Sequence, residues 1–217
     1  GAMGRVTPSG ILLETNGKKI VLDYGADVEF MPPKPPLPVD KVNYVLLSQS
    51  HLDHCGSLPI LAKKSPCPIY SNPCSKDLAK LLLMDSVKIN IAEMGTIEEA
   101  KLPFTKLDVK LTMRKFIDVP YRKPFQLGDV KVTNFDAGHI PGSVMSHLEF
   151  NGKSLLYNGN FNMLDTRLLE GCDKDLPDVD ILITESTYSQ RDHPDRKTVE
   201  KDLVNLVNET ISNDGVA

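Results

Sequence analysis

The stretch LLSQSHLDHCGSLP, residues 46–59, contains two histidines and an aspartate within the four residues HLDH, 51–54. It follows the apolar run NYVLLS, residues 43–48, which predicts a short buried strand. Imidazole and carboxylate groups are the ligands that zinc-like metals bind, so the loop after this strand is a candidate metal site. Gln49, however, stands two residues before the first histidine, where a third imidazole would complete the cluster. The stretch therefore predicts either a metal site or the remnant of one.

The composition is that of a soluble globular protein of about one domain, with 217 residues, 41% hydrophobic and 25% charged. A net charge of −4 argues against a strongly basic, non-specific nucleic-acid binder, although a local cleft for one RNA strand stays compatible with it. We expect no membrane segment, because no apolar run reaches the ~18 residues that span a bilayer. The four cysteines form no C-x-x-C pair and indicate reduced thiols, hence a cytoplasmic location, or a nuclear one in a eukaryote.

The pattern of apolar residues predicts an α/β fold with sheet and helix layers. ILLET (11–15) and KKIVLDYG (18–25) read as two strands joined by an Asn16-Gly17 hairpin turn. We predict helices over about 57–63, 74–94, 106–117 and 195–213, and further strands in PIY, KPFQLG, VKVTNFDA, SHLEF, KSLLYNG and VDILITES. For the helix over 74–94, the expected buried stripe consists of Leu78, Leu81, Leu82 and Ile89.

Polar residues follow several of the predicted strands, in the loops where α/β proteins place their ligands. Besides HLDH, these are Asp23, the segment AGHIPGS (137–143) and the segment Asn158-Gly159-Asn160. Each segment alone is weak evidence, since a lone His139 is more often a loop histidine held by hydrogen bonds. Their order along the chain is far more specific.

Five motifs, in order, resemble those of the metallo-β-lactamase superfamily and its β-CASP branch of RNA nucleases. Within that branch, the chain is most similar to the cleavage and polyadenylation specificity factor endonucleases and their archaeal relatives. The motifs are VLDYG (21–25), SQSHLDHCG (48–56), AGHIPGS (137–143), LLYNGNFNMLDTRLL (155–169) and ITESTYSQRDHPDR (183–196). The resemblance implies an αββα-sandwich over residues 4–217, after a tag remnant at 1–3. It also implies a partial domain, with the β-CASP insertion beginning around 210–217.

The resemblance implies a two-zinc site that hydrolyses a phosphodiester. Metal ligands would be retained at His51, Asp53, His54 and His139. Asp53 and Glu185 take the positions of catalytic residues in the family, and Asp23 and Ser143 are expected to support the ligand loops.

Two further ligand positions are substituted. Gln49 stands in place of a histidine, and Asn160 in place of the aspartate that bridges both metals. An amide oxygen is a weak zinc ligand compared with imidazole, and asparagine lacks the negative charge that a bridge between two dications needs. We therefore expect no metal, or at most one that is weakly bound. The neighbouring Ser50 and Asn158 also depart from the family motifs, which favours natural divergence over engineering.

The function that these residues predict is that of a pseudo-nuclease subunit in RNA 3'-end processing or decay. Its expected partners are RNA and an active β-CASP homologue or a second copy of the chain. The first alternative is an active metal-dependent endo- or exoribonuclease, seen as a fragment or in an inactivated form. The second alternative is a small-molecule metallo-hydrolase of the same superfamily.

Overall fold

The computed structural model describes residues 8–94, 102–190 and 192–216, so the predicted tag remnant at 1–3 lies outside the described residues. The first sheet has its strands in chain order, β1-β2-β3-β4-β5. β1 and β2 pair antiparallel, and the remaining pairs are parallel. Its strands are β1 (Ile11–Thr15), β2 (Lys18–Leu22), β3 (Tyr44–Leu46), β4 (Ile69–Ser71) and β5 (Phe116–Asp118).

The second sheet has the order β10-β9-β8-β7-β6. Its pairs are antiparallel except for β9 and β10, which run parallel. Its strands are β6 (Phe125–Leu127), β7 (Val130–Asp136), β8 (Val144–Phe150), β9 (Lys153–Tyr157) and β10 (Ile181–Ile183).

Helices connect the strands of the first sheet. They are α1 (Leu52–Cys55), α2 (Leu58–Lys64), α3 (Pro73–Met94) and α4 (Lys106–Met113). The chain divides into two compact units, the first ending at Glu185 and the second beginning at Ser186. The second unit contains α5 (Arg196–Ser212). Within the three described ranges, none of the helices combines the length and apolar character needed to cross a membrane.

Three apolar layers hold the first unit together, as the predicted α/β layering requires. Val45 and Leu83 belong to the layer between the first sheet and its helices. Leu46 and Leu148 belong to the layer between the two sheets. A smaller layer that includes Met145 lies on the other face of the second sheet. Because successive strand residues point to opposite faces, Val45 and Leu46 fall in different layers.

The predicted hairpin at Asn16-Gly17 is confirmed. β1 and β2 pair from Ile11 with Leu22 to Thr15 with Lys18, which leaves only the two turn residues unpaired. Both turn residues have positive φ, 47° and 71°, and Asn and Gly adopt this conformation at the lowest steric cost.

The predicted buried stripe of α3 is wrong at Leu81 and Ile89, while Leu78 and Leu82 are half-buried. Leu81 and Ile89 are 64% and 48% exposed, whereas Ala79, Leu83 and Val87 are buried. The buried face also contains the small or polar residues Ser75, Ser86 and Asn90, which a search for large apolar side chains overlooks.

Two boundaries also differ from the prediction. The predicted helix over 106–117 ends at Met113, because Phe116–Asp118 form the edge strand β5 beside β4. The predicted loop around HLDH instead contains one helical turn, α1.

Candidate functional site

The predicted site residues come together at one edge of the two sheets. β2, β3, β7, β9 and β10 all end there, and the polar loops follow directly from these strand ends. Parallel strands place their carboxyl ends on the same side of a sheet, which is the usual location of ligand sites in α/β proteins. The loop residues in question are Asp23, Gln49, His51, Asp53, His54, His139, Asn160 and Glu185.

Asp23 lies at the centre of this edge and is fully buried. Its Oδ1 accepts a hydrogen bond from the Ser48 backbone N–H at 2.7 Å, and its Oδ2 accepts one from the Ser48 hydroxyl at 2.6 Å. The Tyr157 hydroxyl donates to Oδ2 at 2.6 Å, and His54 Nδ1 lies 2.7 Å from the same oxygen. Ser48 follows a strand of the first sheet and Tyr157 ends a strand of the second, so Asp23 connects the two sheets.

His54 has its two ring nitrogens in different surroundings. Nδ1 faces Asp23, while Nε2 lies 3.5 Å from Asp53 Oδ2. Burial disfavours the charged imidazolium, but the nearby Asp23 carboxylate outweighs it and raises the pKa of His54, with smaller contributions from Asp53 and Asn160. The Asp23 contact therefore fixes the ring and leaves Nε2 directed towards Asp53 and Asn160.

His51 and His139 form a second, separate pair. Nδ1 of His51 lies 3.4 Å from Nε2 of His139, and the rings meet edge to face with their centroids 5.2 Å apart. Partial burial lowers the pKa of both histidines, so both rings are neutral near pH 7. Neutral imidazoles retain the lone pair that a metal or a proton donor needs.

The two positions that were predicted to be substituted metal ligands contact each other. Gln49 Nε2 donates a hydrogen bond to Asn160 Oδ1 at 2.5 Å. The other amide atom, Gln49 Oε1, is buried and has no hydrogen-bond partner among the described residues. Gln49 is fully buried, so no part of this amide reaches solvent.

The donor set meets only part of what a two-zinc centre requires. Two nitrogen ligands of a tetrahedral zinc at about 2.0–2.1 Å lie ~3.4 Å apart, and His51 and His139 match that spacing. At the predicted third ligand position, Gln49 directs an N–H at Asn160, and at the predicted bridging position Asn160 carries a neutral amide. Over residues 8–94, 102–190 and 192–216, no group of three or more His, Cys, Asp or Glu side chains could hold a metal. The residues present therefore do not fit two bridged zinc ions.

Ser143 and Glu185 lie where they can support the loops. The Ser143 hydroxyl accepts hydrogen bonds from the backbone N–H groups of His139 and Ile140 at 3.2 and 3.3 Å. Glu185 Oε1 accepts from the backbone N–H of Phe161 at 3.1 Å, directly after Asn160. The Glu185 charge also acts on His139, where it opposes the lowering of the pKa.

Three further residues of the site, Ser48, Tyr157 and Gly159, lie in the quoted motifs but had no predicted role. Ser48 and Tyr157 supply three of the four contacts to Asp23. Gly159 has φ of +54°, and a Cβ there would lie 2.7 Å from the Ser48 hydroxyl oxygen. The signals that could have found them are membership of these motifs and position, because each residue lies within three residues of a predicted strand end.

Comparison with known proteins agrees with this geometry. The metallo-beta-lactamase superfamily domain matches residues 12–186. "Probable RNase MJ4" from Methanocaldococcus jannaschii is 39% identical over 100% of this chain and 51% of its own length. "RNase aCSPSF2" from Saccharolobus solfataricus is 29% identical over 99% of this chain and 43% of its own length.

A eukaryotic protein also matches. "Cleavage and polyadenylation specificity factor 73" from Drosophila melanogaster is 29% identical over 99% of this chain and 32% of its own length. The chain thus spans about half of the length of these relatives, or less. The predicted resemblance to β-CASP RNA-processing nucleases is confirmed by these relatives, and the predicted fold by the two-sheet architecture. The chain belongs to the metallo-β-lactamase superfamily.

Proposed function

We propose that this chain is part of an RNA-processing nuclease homologue that does not itself cleave RNA. The observation that carries the proposal is the hydrogen bond from Gln49 Nε2 to Asn160 Oδ1, which joins two positions that hold metal in the family. The family generally binds zinc. In this chain the proposed state is no metal, or one weakly bound ion.

The chemistry explains why these two positions decide activity. In the family, a metal pair would supply an activated water and the positive charge that phosphodiester hydrolysis needs, and the predicted ligand positions 49 and 160 would help to hold it. Asn160 is neutral and already accepts a hydrogen bond from Gln49. Asp53 and Glu185 are present, but without the metals they face no activated water.

The proposed role is therefore binding, either of RNA or of a catalytically complete partner. The names of the relatives, two RNases and a cleavage and polyadenylation factor, support a place in RNA processing. An active β-CASP homologue or a second copy of the chain would supply the catalysis. The start of the β-CASP insertion around 210–217 stays a prediction. The first of the two compact units ends earlier, at Glu185.

The second candidate is an active metal-dependent ribonuclease, and one observation favours it. His51 Nδ1 and His139 Nε2 are 3.4 Å apart, the spacing of two ligands on one zinc ion. Under this alternative, Gln49 would turn its amide oxygen towards the same ion. That rotation would break the contact with Asn160.

The deciding experiment measures metal content and RNA cleavage for the protein at its full encoded length. We expect less than one zinc per chain, by elemental analysis, and no cleavage of an end-labelled RNA. The Gln49→His, Asn160→Asp double variant should bind more zinc than the unaltered protein, because it restores an imidazole and a bridging carboxylate.

The matched control is the double variant Gln126→His, Asn208→Asp. It makes the same two chemical changes at exposed positions that are distant in sequence from Gln49 and Asn160. It should leave the zinc content unchanged. Two zinc ions per chain together with RNA cleavage by the unaltered protein would refute the proposed function.

A further inference from the structure

We infer that the side chains of Gln49 and Asn160 form a clasp that fastens the two sheets at the site edge without any metal. We call this pair the amide clasp. The inference relies on the proposed function only for the identity of the two family positions. Beyond that function, it gives Gln49 and Asn160 a structural role of their own.

The clasp connects the two sheets directly. Gln49 lies three residues after the end of β3 in the first sheet, and Asn160 three residues after the end of β9 in the second. Their side chains meet at 2.5 Å although the residues are 111 positions apart in sequence. In the family, metal ions bound from both sets of loops make this connection. Here an amide–amide hydrogen bond is one of the contacts that make it.

Burial makes this hydrogen bond matter for stability. Gln49 has no exposed surface, and its Oε1 already lacks a partner among the described residues. A buried amide that loses its remaining partner cannot turn to water, so the full cost of desolvation appears as lost stability. The Nε2–Oδ1 bond is therefore the one side-chain hydrogen bond of Gln49 among the described residues, and its loss would leave the buried Nε2 group unpaired.

Two other contacts cross the same gap and also need no metal. The backbone N–H of Val144, in the second sheet, donates to the Ser48 carbonyl at 2.8 Å. The Tyr157 hydroxyl donates to Asp23 Oδ2 at 2.6 Å. The amide clasp lies next to these contacts along the chain. Together the three contacts can hold the edge in its folded geometry.

Charge favours the same assignment. An aspartate at position 160 without metal would place a further carboxylate close to Asp53 and Glu185. Asn160 interacts with His54, which lies 3.5 Å from Asp53, and the next backbone N–H binds Glu185. A neutral amide avoids this repulsion, since like charges at short range disfavour ionisation and folding. The loss of metal and the change to asparagine are therefore physically consistent.

The test is a double-mutant cycle on thermal stability in EDTA, using Gln49→Met, Asn160→Ala and the combination. Asn160→Ala should lower Tm by on the order of 5 °C, because it leaves the buried Nε2 group of Gln49 without a partner. Gln49→Met should lower Tm by less, because Asn160 is only partly buried and the substitution also removes the unsatisfied Oε1. The combined variant should lose no more than the worse single variant, since the clasp can be broken only once. Additive losses in Tm would overturn the inference.

Gln126→Met is the matched control, because Gln126 is an exposed glutamine on β6. It should leave Tm unchanged. The losses of Tm in the single variants should be the same in EDTA and in zinc chloride, since a ligand that binds only the folded state raises Tm whether or not the amide pair is intact. A loss that appears only in zinc chloride would show that metal, and not the amide pair, connects the sheets, and would overturn the inference.

A second measurement covers the case in which a variant fails to fold. In the unaltered protein, the side-chain NH₂ protons of Gln49 should exchange slowly with solvent in a nuclear magnetic resonance experiment. Rapid exchange of these protons would contradict a buried clasp. The exchange rate tests the amide clasp independently of the proposed function. A protein that does not cleave RNA can lack the clasp, and a cleavage assay does not detect the clasp.

Discussion

Asp23 concentrates four polar contacts on one buried carboxylate, in a backbone conformation that most residues avoid. Its φ is +57°, in the left-handed region where Asp and Asn are tolerated better than other residues with a side chain. The conformation turns the chain at the end of β2 and places the carboxylate beside Ser48, His54 and Tyr157. An aspartate meets both requirements at this position, because it tolerates the positive φ of the turn and its two oxygens accept several hydrogen bonds.

We predict that Asp23→Asn lowers the free energy of unfolding by about 2 kcal/mol and Asp23→Ala by about 4 kcal/mol. Asparagine tolerates the positive φ but loses the charge and one acceptor oxygen. Alanine loses all four contacts and is also strained. Urea denaturation followed by circular dichroism measures the difference.

The control for this prediction is Asp214→Asn, because Asp214 also has positive φ, 56°, but is exposed. It should change the stability by less than about 0.5 kcal/mol. Equal effects at Asp23 and Asp214 would mean that the contacts of Asp23 contribute nothing to stability.

Among the secondary-structure elements, α3 buries a face that the pattern of large apolar residues in its sequence does not predict. The face turned to the first sheet carries Ala79, Leu83 and Val87 together with small polar residues. The small Ser75 allows close approach to the neighbouring loop, where its hydroxyl donates to the Gly142 carbonyl at 2.7 Å. α3 thereby helps to position the segment that contains His139.

We predict that Leu83→Ala lowers the free energy of unfolding by about 2–4 kcal/mol, because Leu83 is fully buried in the layer between sheet and helices. Leu81→Ala, on the same helix, is the matched control. Leu81 is 64% exposed, and its substitution should cost less than about 0.5 kcal/mol. Urea denaturation of the two variants measures this difference. The stripe predicted from sequence, which includes Leu81 but not Leu83, would require the larger loss of stability at Leu81.

At the scale of the whole molecule, the site depends on the two sheets being held together at one edge. Neither sheet contains the site alone: Asp23, Asp53 and His54 come from the first, and His139 and Asn160 from loops of the second. The Tyr157 hydroxyl spans this boundary. Burial beside Asp23 raises the pKa of Tyr157 well above its ordinary value, so the hydroxyl keeps the proton that it donates.

We predict that Tyr157→Phe lowers the free energy of unfolding by about 1–2 kcal/mol, because it removes one donor from a buried carboxylate and leaves the ring packing intact. Tyr44→Phe, in the same layer between the sheets, is the control and should have a smaller effect. Thermal denaturation of both variants measures this. Equal losses would show that the link from Tyr157 to Asp23 does not stabilise the pairing of the sheets.

Much of the fold could be predicted from local patterns, because those features depend on neighbours in sequence. The Asn16-Gly17 turn follows from the backbone freedom of two residues. The apolar runs in the sequence predict the strands, and the polar residues directly after them predict the loops of the site. Where a boundary was wrong, as at β5, the strand exists only because its backbone pairs with β4. A three-residue strand has too little sequence pattern to be found without its partner.

The family, the order of the motifs and the prediction of two substituted metal ligands at Gln49 and Asn160 follow from the sequence alone, because residue type and spacing are written in the chain. The three-dimensional structure was needed to show that these two amides bind each other, that the Tyr157 hydroxyl binds Asp23, and which face of α3 is buried. These contacts join residues up to 134 positions apart. They form when two sheets pack at a particular distance and angle, and no local pattern encodes that packing.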